Sequence, residues 1–580
     1  MQIKQRQYDK IIADDMAVQG VNPLLARLYV GRGVLAKGEL ETSLTQIVPP
    51  EQLTNSGEMA KLLANAIAAN KHILVIGDYD ADGATATAVA VKGLRQICTI
   101  VKSGAQVDFL VPNRFEYGYG LTPEIVALAS TLKPDILITV DNGIASVDGV
   151  AAANLLGLQV LITDHHLPAN TTPAAACIVN PNQQGCKFLS KNLAGVGVMF
   201  YVLLALRAEL RSRGAFENKP EPNLTELLDL VALGTVADLV KLDANNRILV
   251  EQGLRRIRAG ACCAGITALL KIAGRTPEKT SAQDLGFYVG PRLNAAGRLD
   301  DMRLGIACLL AETEADALQK AQTLHELNIE RRNIEAGMQD STLIALENID
   351  VADNFSLSIY NAEYHQGVIG ILASRLKEKY HRPTIAFADA GDGIMKGSGR
   401  SISNFHLRDA LDLVTKRHPK LIIKFGGHAM AAGLSIKQVD FAKFQTAFEV
   451  VARELLTEAD LQAVIETDGN LNASEMNLQT AQMLAMQVWG QGFAPPLFYD
   501  DFKVINQRVV GEKHLKLVLE KESLEKDKKR FDAIFFGQAA LLNEKINVAY
   551  ALDVNVYNGL STVQLLIKHV DERLNYAQKN

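Results

Sequence analysis

The stretch VIGDYDADGAT at residues 75–85 places three carboxylates, Asp78, Asp80 and Asp82, at alternate positions directly after an apolar run. Like charges this close repel one another, so the pattern suggests a site for a cation. An exposed acidic loop and a calcium-binding loop are the alternatives. A calcium-binding EF-hand loop ends in a glutamate and lies between two helices, whereas an apolar strand precedes this stretch. The motif therefore favours metal ligands at the end of a strand.

Residues 71–180 repeat one theme, in which a short apolar strand is followed by a polar break and an alanine-rich helix. The predicted strands are HILVI (72–76), VDFLV (107–111), DILITV (135–140) and QVLIT (159–163). Apolar strands that alternate with helices indicate a parallel sheet covered on both faces. In such sheets, ligands bind beyond the carboxyl ends of the strands.

Polar side chains follow these strands at the edge where ligands are expected. The segments are Asp78 to Asp82, PNRFEYGYG, the triplet Asp141-Asn142-Gly143, and the triplet Asp164-His165-His166. Oxygen ligands with one or two imidazole nitrogens favour Mg²⁺ or Mn²⁺ over metals that prefer thiolates. So many carboxylates exceed the need of one ion, and two ions that share an aspartate would neutralise them and could hydrolyse a phosphate ester. Asp238, near the end of a predicted helix, is consistent with either a ligand or a helix cap.

Length and composition bound the class of protein. The chain has 580 residues, 48% hydrophobic and 22% charged, which predicts an ordinary globular protein of three or four domains. The formal net charge is −5 and the pI about 6.2, so any nucleic-acid binding must use a local basic channel. Six cysteines without a CxxC pair fit reduced thiols in a cytoplasm. The first residues lack the apolar core of a signal peptide, and no apolar run reaches membrane-spanning length.

Beyond the first sheet, the pattern changes three times. Residues 190–310 read as mainly helical, and Ala311 to Asn348 read as one long connecting helix. A second α/β unit follows to about residue 450. After WGQGFAPPLF (489–498), the tail consists of strand-like segments separated by turns, which predicts a small barrel of OB-fold size.

Three arginines lie in glycine-rich settings, where a phosphate could approach the backbone: Arg114 in PNRFEYGYG, Arg298 in PRLNAAGR and Arg400 in KGSGRS. Each could equally be a solvated surface residue. GGHAMAAG predicts a tight turn beside His428. GVGVM (195–199) has part of a dinucleotide-binding fingerprint, but no strand leads into it and we assign it no function. A P-loop motif is absent, so ATP hydrolysis is not indicated.

Together these motifs resemble the DHH phosphoesterase family. GDYDADGAT, TVDNG, TDHH and GTVADLV are similar to its four motifs, and GGHAMAAG is similar to the signature of its associated second domain. The order of the motifs, with RFEYGYGLT, GPRLNAAGRL, HQGVIGI, SGRS and NVYNGLSTVQLLI, resembles the branch of 5′→3′ exonucleases specific for single-stranded DNA. The similarity runs from about residue 20 to about residue 570.

The resemblance implies roles for individual residues. Its metal shell corresponds to Asp78, Asp80, Asp82, Asp141, His165 and Asp238, with Asp141 bridging two Mn²⁺ or Mg²⁺ ions and His166 touching the scissile phosphate. The position where many relatives have a histidine is Ile76, which makes Asp78 the expected substitute ligand. The DNA contacts correspond to Arg114, Asn294, Arg298, Ser398, Arg400 and His428, with Arg114, Arg298, Ser398 and Arg400 around the 5′-phosphate.

The resemblance also implies the fold and the biological setting. It implies an α/β protein with a parallel-sheet DHH domain (1–310), a connecting helix (311–348), a second α/β, DHH-associated domain (349–454) and an OB-fold barrel (455–580). The implied activity is hydrolysis of single-stranded DNA to mononucleotides in recombination and repair. Partners would be single-stranded DNA, with a single-strand-binding protein and a helicase, in the cytoplasm and without a membrane.

Three alternatives remain at this point. A small phosphodiesterase of the same family, acting on nanoRNA or cyclic dinucleotides, would not need the tail barrel. An inorganic pyrophosphatase uses related chemistry but likewise has no use for such a barrel. A replication scaffold with a decayed site would have lost ligands, whereas here the five surest positions are filled.

Overall fold

The computed structural model describes residues 1–169, 171–346, 351–522 and 528–571, without the side chains of residues 114, 115, 345 and 352. The chain forms two compact units. One comprises residues 1–4 and 326–465, and the other comprises residues 5–325 and the chain from 466 onward. None of the helices in the described ranges combines the length and hydropathy that a membrane span requires.

The larger unit is built around a five-stranded parallel sheet. The chain begins with β1 (Gln2–Gln5), most of which belongs to the other unit, and three helices of the larger unit follow: α1 (Lys10–Val18), α2 (Pro23–Val30) and α3 (Ser56–Ala68). The sheet and its connections follow: β2 (His72–Ile76), α4 (Ala81–Val101), β3 (Gln106–Leu110), α5 (Arg114–Tyr117), α6 (Pro123–Ser130), β4 (Ile136–Val140), α7 (Val147–Leu155), β5 (Gln159–Thr163) and β6 (Cys177–Val179). The strand order is β3-β2-β4-β5-β6, which confirms the parallel α/β sheet.

The strand order decides where a ligand can bind. The chain moves from β2 outward to β3 and then crosses to β4 on the other side of β2, so the sheet has its topological switch point between β2 and β4. Ligands bind at such points, outside the carboxyl ends of the strands. The first aspartate motif follows β2 and Asp141 follows β4, so both motifs lie at the switch point.

A helical region follows the sheet, as predicted. Its helices are α8 (Gly195–Ser212), α9 (Leu228–Ala237), α10 (Ala244–Arg258), α11 (Ala264–Ile272), α12 (Ala282–Asp284), α13 (Gly290–Leu299), α14 (Arg303–Leu310) and α15 (Glu314–Leu346). A π-helical turn, Leu285–Val289, joins α12 to α13. The alanine-rich helix α4 is almost completely buried and packs against α8 and α9, because its small side chains allow close approach. The long helix predicted for 311–348 is α15.

The smaller unit is a second α/β fold. Its elements are β7 (Leu357–Tyr360), α16 (Ile369–Tyr380), β8 (Thr384–Asp389), β9 (Ile394–Arg400), α17 (Leu407–Arg417), β10 (Lys424–Gly427), β11 (Ala431–Lys437), α18 (Phe441–Leu455) and β12 (Val464–Thr467). Strands β7 to β11 form a mixed sheet in the order β10-β11-β9-β8-β7, with aromatic residues of α18 in its core. Strand β12 pairs with β1.

The tail is the predicted barrel. After α19 (Leu478–Ala485) come β13 (Phe498–Val510), β14 (His514–Glu522), β15 (Lys528–Phe535), β16 (Lys545–Tyr557) and β17 (Leu560–Val570). These strands form a closed barrel in the order β13-β14-β15-β17-β16. Among the described residues of the barrel, only β15 and β17 pair in parallel. Five strands in this arrangement agree with an OB-fold.

Candidate metal centre

The first aspartate motif forms the turn between β2 and α4. Asp80 caps the helix, because its Oδ1 accepts hydrogen bonds from the backbone N–H groups of Asp82 at 2.9 Å and Gly83 at 3.0 Å. The Oδ1 of Asn294, on α13, accepts the N–H of Ala81 at 2.8 Å. The carboxylate of Asp78 is buried in the same turn. The turn is therefore fixed from two sides, which holds its carboxylates at the rim of the sheet.

Asp82 is oriented by the first residues of α8. Its carboxylate is buried and accepts the backbone N–H groups of Gly195 at 2.6 Å and Val196 at 2.9 Å. Residue 195 must be small here, since a Cβ would lie 2.5 Å from the Cβ of Asp141. GVGVM, to which the sequence alone assigns no function, supplies the helix N-terminus that holds Asp82. The sequence signal for this helix start is the pair of glycines, Gly195 and Gly197, at the beginning of an apolar helical segment that no strand precedes.

Asp141 and His165 connect the aspartates at the centre. Asp141 follows β4 with φ of 62°, a left-handed conformation that turns the chain directly at the strand end. The Nε2 of His165 lies 3.1 Å from Asp141 Oδ1, 3.5 Å from Asp238 Oδ2 and 3.9 Å from Asp82 Oδ2. Three carboxylates and an imidazole, each from a different one of the four motifs, thus approach one another.

Ligand atoms at the rim form three overlapping groups, each with the spacing of a metal site. They are Asp78 with Asp80 and Asp141, Asp141 with His165 and His166, and Asp82 with His165 and Asp238. Asp141 belongs to two groups and His165 to two. A carboxylate shared between groups is what a bridge between two ions requires.

His166 has a different environment from His165. Its Nδ1 lies 2.8 Å from Asp164 Oδ1, and Asp164 also accepts the N–H groups of His165 and His166. Burial lowers the pKa of His166, but the hydrogen bond and charge of Asp164 outweigh it and raise that pKa to about 9. This pKa favours the imidazolium form of His166 at neutral pH. Sequence reasoning missed Tyr119, whose hydroxyl lies 3.3 Å from Nε2 of His166.

The electrostatics of the carboxylates fit bound cations. Burial, together with the charge of Asp80, raises the pKa of Asp82 to about 7. Burial and the charge of Asp82 raise the pKa values of Asp141 and Asp238 well above their usual range. The buried Oδ1 of Asp141 accepts no hydrogen bond from any described residue. A buried carboxylate oxygen that accepts no hydrogen bond is a suitable ligand for a divalent ion such as Mn²⁺ or Mg²⁺. Ile76 is an apolar, buried residue of β2 and offers no ligand atom.

In two of the glycine-rich segments, the structure shows why glycine is needed. PRLNAAGR is a helix rather than a loop, and a Cβ on Gly297 would lie 1.8 Å from the carbonyl oxygen of Tyr79. This glycine lets α13 pack against the first motif, and the phosphate contact predicted for Arg298 in the same segment stays a prediction. GGHAMAAG is the predicted tight turn, found between β10 and β11, with His428 exposed.

Three family models match the chain. They are the DHH family N-terminal domain over residues 72–235, the DHHA1 domain over residues 353–455 and the RecJ OB domain over residues 467–569. The single-stranded-DNA-specific exonuclease RecJ of Salmonella typhimurium is 48% identical over 580 residues, which cover 98% of this chain and 99% of the relative. The chain belongs to the RecJ family.

Other RecJ proteins agree. RecJ of Escherichia coli is 47% identical, with 98% of this chain and 99% of the relative covered. A crystal structure of RecJ in complex with Mn²⁺ from Thermus thermophilus superimposes with a TM-score of 0.80 at 29% identity, and covers 98% of this chain and 79% of that one. The corresponding Mg²⁺ complex has a TM-score of 0.74 at 27% identity, with 98% and 78% covered. The predicted family and fold are thereby confirmed.

The predicted DNA contacts divide between the two units of the RecJ fold. Asn294 and Arg298 lie on α13 in the unit that carries the carboxylates, whereas Ser398, Arg400 and His428 lie in the smaller unit. The side chain of Arg114 lies outside the described part of the structure. Arg400 is a partly buried guanidinium that donates to Ser398 Oγ at 3.2 Å and to the carbonyl of Gly399 at 2.8 Å. No described carboxylate forms an ion pair with it, so its charge is available to an anion.

Proposed function

We propose that this protein is a metal-dependent exonuclease that degrades single-stranded DNA from its 5′ end to mononucleotides. The observation that carries this proposal is the cluster of buried carboxylates with raised pKa values around Asp141, in a chain of the RecJ family. The tail barrel, of a kind that binds single-stranded nucleic acid, supports the substrate.

The proposed ligands of two Mn²⁺ or Mg²⁺ ions are Asp78, Asp80, Asp82, Asp141, His165 and Asp238. Bound ions of this kind activate water and neutralise the charge that develops on a phosphate during hydrolysis. Asp141, common to two of the ligand groups, is the proposed bridge. Asp80 and Asp82 are held in place by backbone N–H groups, which spares the protein a rearrangement when the ions bind.

His166 is the proposed contact to the scissile phosphate. As an imidazolium it can donate a hydrogen bond from Nε2 to a nonbridging oxygen, and this interaction strengthens as negative charge grows there. Asp164 keeps the ring oriented through Nδ1 and keeps it protonated. Because two divalent ions at these ligands would activate a water molecule, direct attack by water is the proposed route.

Degradation from the 5′ end requires a pocket for the terminal phosphate, because hydrolysis at the metal ions does not itself distinguish the two ends of a strand. Ser398 and Arg400, with Arg114 and Arg298, are the proposed pocket, and Asn294 and His428 are proposed along the strand. A 5′-phosphate carries more charge than an internal diester and can accept paired bonds from a guanidinium. Burial lowers the pKa of Arg400. A bound phosphate would supply the negative charge that stabilises the buried guanidinium.

The biological setting is also part of the proposal. We place the protein in DNA recombination and repair in the cytoplasm, with a single-strand-binding protein and a helicase as partners that expose its substrate. Six cysteines without a disulfide support a reducing compartment. The proposed domain boundaries remain 1–310, 311–348, 349–454 and 455–580.

The test uses oligonucleotides labelled at the 5′ or the 3′ end, single-stranded or duplex, incubated with Mn²⁺ or with EDTA. We expect mononucleotides to be released first from the 5′ label, only from single strands and only with Mn²⁺. Equal degradation of the duplex, release that starts at the 3′ label, or full activity in EDTA would refute the proposal.

A further inference from the structure

An exposed aromatic side chain lies on an unusual turn that packs against the residues before Asp238. Phe287 is 75% exposed and lies in the π-helical turn between α12 and α13. Single exposed apolar residues are common, so exposure alone indicates nothing. A π turn within a helical run is rare, however, and such turns occur frequently at functional sites.

The backbone of this turn packs directly on the residues that lead to Asp238. A Cβ on Gly286 would lie 3.2 Å from Val236 Cγ1, and a Cβ on Gly290 would lie 3.1 Å from the Cβ of Ala237. Asp238, which approaches His165, is the next residue after Ala237. Further along the same helical run, Asn294 binds the first aspartate motif. Phe287 thus belongs to a helical run that packs against the residues before Asp238 and, further along, binds the first aspartate motif.

The turn is held rigidly. The guanidinium of Arg275 lies 4.0 Å from the ring centroid of Tyr288 and 3.3 Å from Asp284 Oδ1. The buried Arg292 donates to the carbonyl of Tyr288 at 2.6 Å. These contacts fix the residues around Phe287 while its own ring remains in solvent. A ring presented in this way loses little conformational entropy when it binds a flat partner.

A second exposed apolar residue follows the metal ligand itself. Leu239 comes directly after Asp238, is 65% exposed and has φ of 60°. A leucine in the left-handed region is an outlier in proteins, and one that is also exposed is not explained by core packing. Lys241, two residues further, is exposed as well. The rim beside Asp238 therefore combines apolar surface with a positive charge.

We infer that Phe287 is a stacking platform for a nucleobase of the strand that enters the metal centre, with Leu239 as a second apolar contact. This inference rests on the proposed function. Stacking on an aromatic ring accepts every base, which suits an enzyme that must process any sequence. A nucleobase is favoured over a protein partner because the turn that carries the ring packs against the residues before Asp238, one of the carboxylates to which the phosphate of that same strand must come.

The test compares Phe287→Ala with Phe287→Tyr, which keeps a ring, and with the control Leu155→Ala. Leu155 is 89% exposed at the end of α7, which returns the chain to the opposite edge of the sheet. We measure KM for a 5′-phosphorylated oligonucleotide with Mn²⁺, and Kd for the same strand in EDTA. The substitution to alanine should raise both about tenfold, whereas the other two variants stay within about twofold of wild type.

A second measurement separates base stacking from a structural role of Phe287. It is the Kd for a series of DNA strands that each contain one abasic site, placed at successive positions from the 5′ end. At the position that stacks on Phe287, the alanine variant and wild type should bind equally well. A Phe287→Ala variant that binds the intact strand like wild type, or is weakened equally at every abasic position, would overturn the inference. Wild-type protein that binds DNA but releases no nucleotide would instead refute the proposed function, and the EDTA series would still decide the role of Phe287.

Discussion

At the scale of single residues, the two adjacent histidines have separate tasks because their neighbours differ. His165 faces three carboxylates, whereas His166 is paired with Asp164, which fixes its ring and holds its proton. Sequence order alone gives no reason to separate them. The difference arises from the turn after β5, in which Asp164 folds back onto the N–H groups of both histidines.

Asp164→Asn tests this arrangement. An amide can still accept a backbone N–H, but without the negative charge the pKa of His166 falls. We expect kcat to drop by about 10- to 100-fold, as for other groups that orient a site residue. The basic limb of the pH–rate profile should also move to lower pH. An unchanged basic limb would show that protonation of His166 does not matter for the rate.

The raised pKa of Asp82 predicts how the stability of the metal-free protein depends on pH. Its value is about 7 in the folded chain and 3.8 without burial, so the folded state retains a proton that the unfolded state releases between these values. The free energy of unfolding contributed by this group is therefore greatest below about pH 4 and is lost as the pH rises to about 7.

The measurement is thermal unfolding in EDTA from about pH 5 to about pH 8, for wild type and Asp82→Asn. Relative to the variant, wild type should lose stability as the pH rises, and Mn²⁺ should restore more of it at the higher pH. A parallel pH dependence of the two proteins would contradict the raised pKa.

At the scale of elements, the strand ends were predictable and the helix N-terminus was not. The period of apolar runs identified β2, β4 and β5, and the rules for parallel sheets brought Asp78 to Asp82, Asp141 and the Asp164 triplet together. Gly195 carries no such pattern, since its role depends on a Cβ that would collide with Asp141 across the fold. Tyr119 was missed for the same reason: its partner, His166, is distant in sequence and no local spacing indicates the contact.

Gly195→Ala tests the helix N-terminus, and Gly197→Ala is its matched control. A Cβ at 195 would lie within 2.7 Å of three atoms of Asp141, whereas at 197 the nearest atom is Cδ2 of Leu193 at 3.1 Å, on a flexible side chain. We expect the first variant to weaken Mn²⁺ binding and reduce activity at least tenfold, while the second retains both. Isothermal titration with Mn²⁺ and the initial rate measure the two effects. Equal behaviour of the variants would show that contact with Asp141 is not what requires glycine.

At the scale of the whole molecule, the two units and the barrel followed from changes in sequence pattern. The long proline-free helix, the second α/β pattern and the alternation of the tail each predicted one part. Which arginines act on DNA could not be deduced in this way, because a guanidinium in a glycine-rich segment looks the same whether it is solvated or buried. Only the structure shows that Arg400 is partly buried and has no described carboxylate as partner.

Arg400→Ala tests whether the charge of Arg400 recognises the 5′-phosphate of the strand. Hydrogen bonds to a charged group contribute about 1.5–3 kcal/mol, so the preference for 5′-phosphorylated over 5′-hydroxyl strands should narrow by an order of magnitude or more. The initial rates on both substrates, for wild type and variant, give this ratio. Full retention of the preference would mean that the terminal pocket lies elsewhere.

Asp141 is the residue on which the metal centre depends, because it belongs to two of the three ligand groups. The most direct test is the rate of nucleotide release from a 5′-labelled single strand, measured across a Mn²⁺ titration for wild type and Asp141→Ala. The predicted result is Mn²⁺-dependent release by wild type and none above background by the variant at any concentration, although the variant still binds the strand. Mn²⁺-dependent release by Asp141→Ala at a rate within about tenfold of wild type would contradict the assignment of this centre.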